Sequence, residues 1–247
     1  MVISRRKFLE GATGATAALL SFSSGGGKVD SHARGEALGR AGNSSCGVLD
    51  LGNDCALRES LLGYQAALGE AGIPFEVLKK NSAPIHAPSG AGLAHRIVIV
   101  PAVARLDARV AKGLSESLRE GNTVLFESAA AFLHAGEFGA HREQIFSHFG
   151  VRLDAPMDLW ASERNSPRVP YVDFTWPLPT KTRDFSRIVS LAAHESEVIG
   201  RVDSLPVALK RKVGGGTLIF LGSALGPHLR AGDQEARAWL RALVAST

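Results

Sequence analysis

A strand, a helix and a second strand in immediate succession, from His95 to Ser128, limit what this chain can fold into more than any other stretch. Arg96-Ile97-Val98-Ile99-Val100 is a nearly uninterrupted β-branched run, the pattern of a strand buried on both faces; Pro101 lacks a ladder donor and is expected to end it. Leu106, Val110, Leu114 and Leu118 then recur every fourth residue, with Asp107 at the N-cap and Gly121 at a left-handed C-terminal cap. Asn122 to Ser128 reads as the second buried strand, and a helix between two such strands makes a right-handed crossover the default. In open α/β sheets ligands collect beyond the carboxyl ends of strands, so Glu127 and Ser128, just ahead of Ala129-Ala130-Ala131, become candidates for a site.

A second unit of the same kind precedes this one, and the domain is taken as 47–247. Val48 to Leu51 is a short strand, and Gly52-Asn53-Asp54 supplies turn and cap chemistry. Leu57, Leu61, Tyr64, Leu68 and Ala71 form one face of a helix closed by Gly72, and Phe75 to Leu78 is the next strand. The first strand therefore also ends beside acids, Asp50 and Asp54. Cys46 and Cys55 flank that strand. Four or five extended residues at about 3.3 Å each hold them further apart than the ~7 Å limit for a disulfide, although an oxidising compartment would favour pairing.

Beyond Ser128, His141 to Phe149 fits a short helix with Ile145, Phe146 and Phe149 on one side and Gly150 as its stop. From Pro156 to Arg187 the chain is rich in proline and has no helical period, which reads as a long excursion. Trp160, Tyr171 and Trp176 lie in it and are the candidates for an aromatic ligand surface; the plainer role for the same rings is to pin the excursion onto the domain. Order returns with strands over 197–202 and 205–210, a Gly214-Gly215-Gly216 turn, a strand over 217–221 and a final helix from Asp233 to Val244. Ala236, Trp239, Leu240, Leu243 and Val244 share one face of that helix.

Ser4-Arg5-Arg6-Lys7-Phe8-Leu9 resembles the twin-arginine (Tat) export signature, with Glu10 where a lysine is common, and a mildly apolar segment too short to span a bilayer follows. The expected organisation is a signal over 1–33, with Arg5, Arg6, Phe8 and Leu9 as its recognition residues, and a Gly/Ser-rich flexible linker over 34–46. The resemblance implies a partner, the Tat translocase, a periplasmic or extracellular destination, and membrane contact only through an uncleaved signal. Of the formal net charge of +4, half sits in the first thirty residues, where Arg5, Arg6, Lys7 and Lys28 face Glu10 and Asp30. The remainder is too small to argue for a nucleic-acid partner.

The order of strands and helices from Gly47 to Val244, the Leu205-Pro206-Val207-Ala208 segment followed by a glycine turn and the Thr217 to Gly222 strand, and the Gly121 to Ser128 strand ending resemble the class I glutamine amidotransferase-like fold. The likeness is to its non-catalytic forms, such as the trimerisation domain of family 42 β-galactosidases. It implies an α/β fold, three-layered around a mostly parallel, flavodoxin-like sheet. Catalytic members of that fold carry a cysteine elbow where this chain has Ser128 between Glu127 and Ala129. The expectation is therefore a binding or assembly domain for a saccharide, cell-envelope or protein partner, without enzymatic activity. The alternative is a serine hydrolase or amidase with Ser128 as nucleophile, His194 or His134 as base and Asp50 or Glu195 as orienting acid. Eight scattered histidines offer no metal-binding pair at helical spacing, and no phosphate-binding loop follows the first strand, so neither a metal nor another cofactor is expected.

Overall fold

The computed structural model describes residues 46–52, 56–80, 96–159, 171–183 and 187–247. The export signal with Arg5, Arg6, Phe8 and Leu9, the linker before Cys46, and Asp54, Cys55 and Trp160 lie outside the described residues, and with Cys55 so does its pairing. Cys46 is buried at the head of the first strand.

In chain order the elements are β1 (Cys46–Asp50), α1 (Arg58–Glu70), β2 (Phe75–Lys79), β3 (Ile97–Val103), α2 (Ala108–Arg119), β4 (Thr123–Ser128), α3 (Ala135–Phe149), β5 (Arg152–Asp158), β6 (Tyr171–Phe174), β7 (Thr180–Arg183), β8 (Arg187–Ala192), β9 (Glu197–Val202), β10 (Leu205–Val213), β11 (Gly216–Leu221), α4 (Gly226–Arg230) and α5 (Gln234–Ala245). Nine of the strands form one sheet in the order β2-β1-β3-β4-β11-β10-β9-β6-β7, and β5 and β8 pair separately. The five strands from β2 to β11 run parallel to their neighbours, and β10, β9, β6 and β7 continue the sheet antiparallel.

The central strands are apolar on both faces because both faces are covered. Ile97 and Ile99 of β3, Leu125 of β4 and Ile219 and Leu221 of β11 point into a core shared with Tyr64 and Leu68 of α1, Leu229 of α4 and Trp239, Leu240 and Leu243 of α5. The alternating residues Val98, Val100, Val124, Phe126, Leu218 and Phe220 enter a second core with Val110, Leu114 and Leu118 of α2, Ile145 and Phe149 of α3, and Leu153, Val189 and Leu191 of the β5–β8 pair. The two-residue period of a strand thus divides one apolar run between two layers. The result is the expected three-layer α/β arrangement. Phe126 stacks on Phe220 with ring centroids 5.1 Å apart, locking β4 to β11 on the second face.

Helix α2 follows its sequence closely. The Asp107 carboxylate accepts from the Arg109 amide at 2.8 Å, and Gly121, at φ +99°, turns the chain out of the helix toward β4. At α5 the Asp233 carboxylate accepts from the Ala236 amide at 2.9 Å in the same way.

Several expectations are corrected. Pro101 does not end β3; the strand runs on to Val103 across an irregularity in its pairing with β4, and Ala102 takes a φ of +26° there. Helix α3 begins at Ala135, a turn and a half before His141, in a stretch whose Gly136 and Gly139 disguise it. Phe146 does not join Ile145 and Phe149 on the buried side: it is 45% exposed and lies under the Arg152 guanidinium, 4.9 Å from the ring centroid. The proline-rich excursion holds two whole strands, β6 and β7, and is bounded by β5, which runs into it, and β8, which runs out of it. β6 and β7 extend the main sheet, and β5 and β8 form the pair that covers its second face. The short helix α4, which opens on Gly226-Pro227, was not expected at all.

Candidate functional site at the end of β4

β4 delivers Glu127 and Ser128 to the carboxyl end of the parallel strands, and because adjacent strand residues face opposite ways they enter two different environments. Glu127 is fully buried. Its carboxyl accepts from the Ser60 hydroxyl of α1 at 2.5 Å and from the Gly226 amide at the start of α4, 3.3 Å from each oxygen. Burial raises its pKa to about 7; the hydrogen bond from Ser60, the nearby Tyr64 hydroxyl and the Gly226 amide all act the other way and only partly offset it. The Tyr64 phenol makes no hydrogen bond of ordinary geometry, and burial, followed by the Glu127 charge, raises its own pKa well above the usual value.

The surroundings of Glu127 are built from glycine. A Cβ on Gly63 would lie 1.9 Å from the Gly226 carbonyl oxygen, and one on Gly226 would lie 2.3 Å from the Ser60 Cα. Only bare backbone lets α1 and α4 approach this closely, and that approach is what places the Ser60 hydroxyl and Gly226 amide on the same carboxyl. Arg230 of α4 and Glu59 of α1 add an ion pair across the same contact.

Ser128 is 1% exposed. Its hydroxyl accepts from the Ala130 amide at 3.1 Å, capping the single 3₁₀ turn Ala130–Phe132, and meets Nε2 of His141 at 3.2 Å. A serine and a histidine at that separation have the residue types of an activated nucleophile. His141, however, is itself buried, and burial lowers its pKa to about 4 although the Ala104 backbone acts to raise it. Its Nδ1 has no hydrogen-bond partner among the described residues, so no carboxylate orients the ring.

The other candidates fall elsewhere. His134 is the exposed N-cap residue of α3, and His194 is exposed in the turn between β8 and β9, where its carbonyl accepts from the Ser196 hydroxyl. Glu195, beside it, pairs with Arg211 at 3.1 Å. Asp50 closes its own turn by accepting from the Gly52 amide at 3.0 Å. Ser128 and His141 are thus brought together, whereas neither His134 nor His194 is among the hydrogen-bond partners of Ser128. Among the aromatics, Trp176 packs against the first core, its carbonyl accepts from the Trp239 indole at 2.9 Å, and the Lys210 ammonium lies 4.4 Å from the centroid of its ring. Tyr171 is 38% exposed on β6. Among the described residues no group of three His, Cys, Asp or Glu could hold a metal ion, and no helix is long and apolar enough to cross a membrane.

Sequence reasoning located Glu127 and Ser128 from the strand end but missed Ser60, Tyr64, Gly226 and His141. The one signal for the first two is their spacing of four with Gly63 between them, one helical turn that pairs two hydroxyls with a small residue.

No family model and no curated protein matches the chain. Solved structures do. The β-galactosidase from Rahnella sp. R3 aligns with a TM-score of 0.58 at 12% identity over 82% of this chain and 31% of that one. Gan42B, a GH42 β-galactosidase from G. stearothermophilus, aligns with a TM-score of 0.51 at 14% identity over 80% of this chain and 30% of that one. The chain therefore spans about a third of the length of the β-galactosidases it resembles. Cytoplasmic protein STM1381 from Salmonella typhimurium LT2 aligns with a TM-score of 0.57 at 10% identity, over 81% of this chain and 98% of that one. At these identities the likeness is one of fold: the same α/β unit forms a minor part of a large glycosidase chain and nearly the whole of a small one.

Proposed function

We propose that the chain is an exported, non-catalytic binding or assembly domain of amidotransferase-like, flavodoxin-like architecture whose ligand is a saccharide or cell-envelope polymer. The observation that carries this reading is the closure of the β4 strand end. Glu127 and Ser128 are buried, and their polar atoms are taken up by Ser60, Gly226, Ala130 and His141 rather than held open toward a substrate. Catalysis requires reacting groups within reach of a bound molecule. The saccharide class rests on the β-galactosidases among the structural neighbours and on the aromatic candidates Trp160, Tyr171 and Trp176.

The contact between Ser128 and His141 favours a second reading, a serine hydrolase or amidase. One experiment separates the two. The purified chain is treated with a fluorophosphonate probe and, in parallel, screened against a panel of soluble glycans, with Ser128→Ala as the control. The expected result is no labelling of Ser128 and retention of at least one glycan by both proteins. Labelling that disappears in Ser128→Ala would establish the hydrolase reading instead.

Export is a separate proposal, supported by Arg5, Arg6, Phe8 and Leu9 and involving the Tat translocase as a transient partner. Changing Arg5 and Arg6 together to lysine is expected to hold the precursor in the cytoplasm, as read by fractionation. Unchanged export would remove the Tat assignment.

A further inference from the structure

The antiparallel end of the sheet has one covered and one open face. Val172 and Phe174 of β6 and Thr182 of β7 point inward and are buried, with the Phe174 ring 4.6 Å from that of Trp239 on α5. The alternate residues point the other way. Register places Tyr171 opposite Arg183, and Asp173 between Lys181 on β7 and Arg201 on β9, so five exposed side chains share one surface. They are exposed: Tyr171 is 38% exposed, and the Lys181 and Asp173 side chains are 67% and 55% exposed.

The charge on this surface is unbalanced. Among the described residues of these three strands, three cations share it with a single carboxylate, Asp173, which pairs with Lys181 at 3.2 Å. Arg183 has Tyr171, not an acid, as its register partner, and Arg201 donates one guanidinium nitrogen to the Ser204 carbonyl at 2.9 Å. A guanidinium fork matches carboxylate, sulfate or phosphate oxygens two at a time, and the Tyr171 ring beside Arg183 supplies an apolar face with a polar edge.

We propose that the open face of β6, β7 and β9, carrying Tyr171, Asp173, Lys181, Arg183 and Arg201, binds an anionic polysaccharide, with the two arginines taking its acidic groups and Tyr171 a sugar ring. This rests on the saccharide reading above and narrows it to acidic polymers. Charge complementarity selects the acidic polymer over a neutral one. Among its described residues the surface is mainly charged, with Tyr171 as its ring, and lacks the apolar residues that would enter a bilayer.

The test uses the full chain in moderate salt with three probes: polygalacturonate, neutral galactan, and phosphatidylglycerol vesicles. The variants are Arg183→Gln with Arg201→Gln, and Arg183→Lys with Arg201→Lys, each checked by circular dichroism. Polygalacturonate should bind on the order of tenfold more tightly than galactan, and the double glutamine variant should lose about that factor while the double lysine variant loses less. Equal binding of galactan and polygalacturonate would overturn the proposal and leave the saccharide reading standing. Binding of neither glycan would remove both, and binding confined to the vesicles would replace the polysaccharide with a lipid surface. A double glutamine variant that is folded and binds polygalacturonate as wild type does would move the site off this face.

Discussion

Glu127→Gln is expected to remove the contribution that this carboxyl makes to the pH dependence of stability between about pH 4.5 and 7. The carboxyl has an ordinary value near 4.5 in the unfolded chain and about 7 in the folded one, because burial penalises the charged form more than Ser60, Tyr64 and Gly226 favour it. The folded state therefore holds this proton more firmly than the unfolded state. Its contribution is fully present below pH 4.5, declines as the unfolded chain ionises, and is gone once pH has risen through 7. A difference of that size corresponds to about 3 kcal/mol. Glutamine keeps an oxygen for the Ser60 hydroxyl and the Gly226 amide and has no proton to lose, so the stability of the wild type relative to the variant should fall by about that amount as pH rises through this window. Urea unfolding from pH 4.5 to 8 reads the difference between the two proteins. Parallel curves would show that Glu127 does not titrate differently in the two states. Asp107 and Glu137, lowered by their hydrogen bonds, and His141 and His228, lowered by burial to about 4, act with the opposite sign, but they are common to both proteins and cancel in the comparison.

Gly226→Ala should cost the fold about 3 kcal/mol, at the upper end of what overpacking usually does. The added methyl would sit 2.3 Å from the Ser60 Cα and Oγ, both on α1, so relief requires the two helices to separate. Separation would also withdraw Ser60 or the Gly226 amide from Glu127 and leave a buried carboxyl short of donors. Gly63→Ala, meeting the Gly226 carbonyl from the other side, should act through the same contact, and the double variant should cost less than the sum of the two. Thermal unfolding checks both expectations. A melting temperature of Gly226→Ala equal to that of the wild type would mean that α4 is not held against α1 in this way.

Where the chain follows local rules, its structure was legible. The Leu106 to Leu118 period, the Asp107 cap and the Gly121 exit give α2 almost residue for residue, and the β-branched run gives β3. The rules failed where tertiary context overrode them. Pro101 lies within a strand because an irregularity in the pairing absorbs its missing donor. Glycines weaken the start of α3, and prolines obscured β6 and β7, which are short; β7 pairs with β6, and β6 pairs in turn with β9 and packs Phe174 on Trp239. The candidate site divides in the same way. That a strand ends at Glu127 and Ser128 is a local fact, but their partners Ser60 and Gly226 are 67 and 99 residues away in sequence from Glu127, and no periodicity reports such a meeting.

The seam between β4 and β11 has a consequence for the order of assembly. β4 pairs on one side with β3, close by in sequence, and on the other with β11, which is the last of the described strands to be made. During synthesis the parallel half of the sheet must wait with the hydrogen-bonding edge of Thr123 to Glu127 unfilled until residues 216–221 emerge, a delay of several seconds at roughly 5–20 residues per second. In that interval the edge offers an apolar template to any passing strand, including that of a neighbouring nascent chain. Closing it joins distant parts of the polypeptide, a slow kind of contact to form, so the rate at which this protein becomes safe from aggregation is set at its centre and not at its margins.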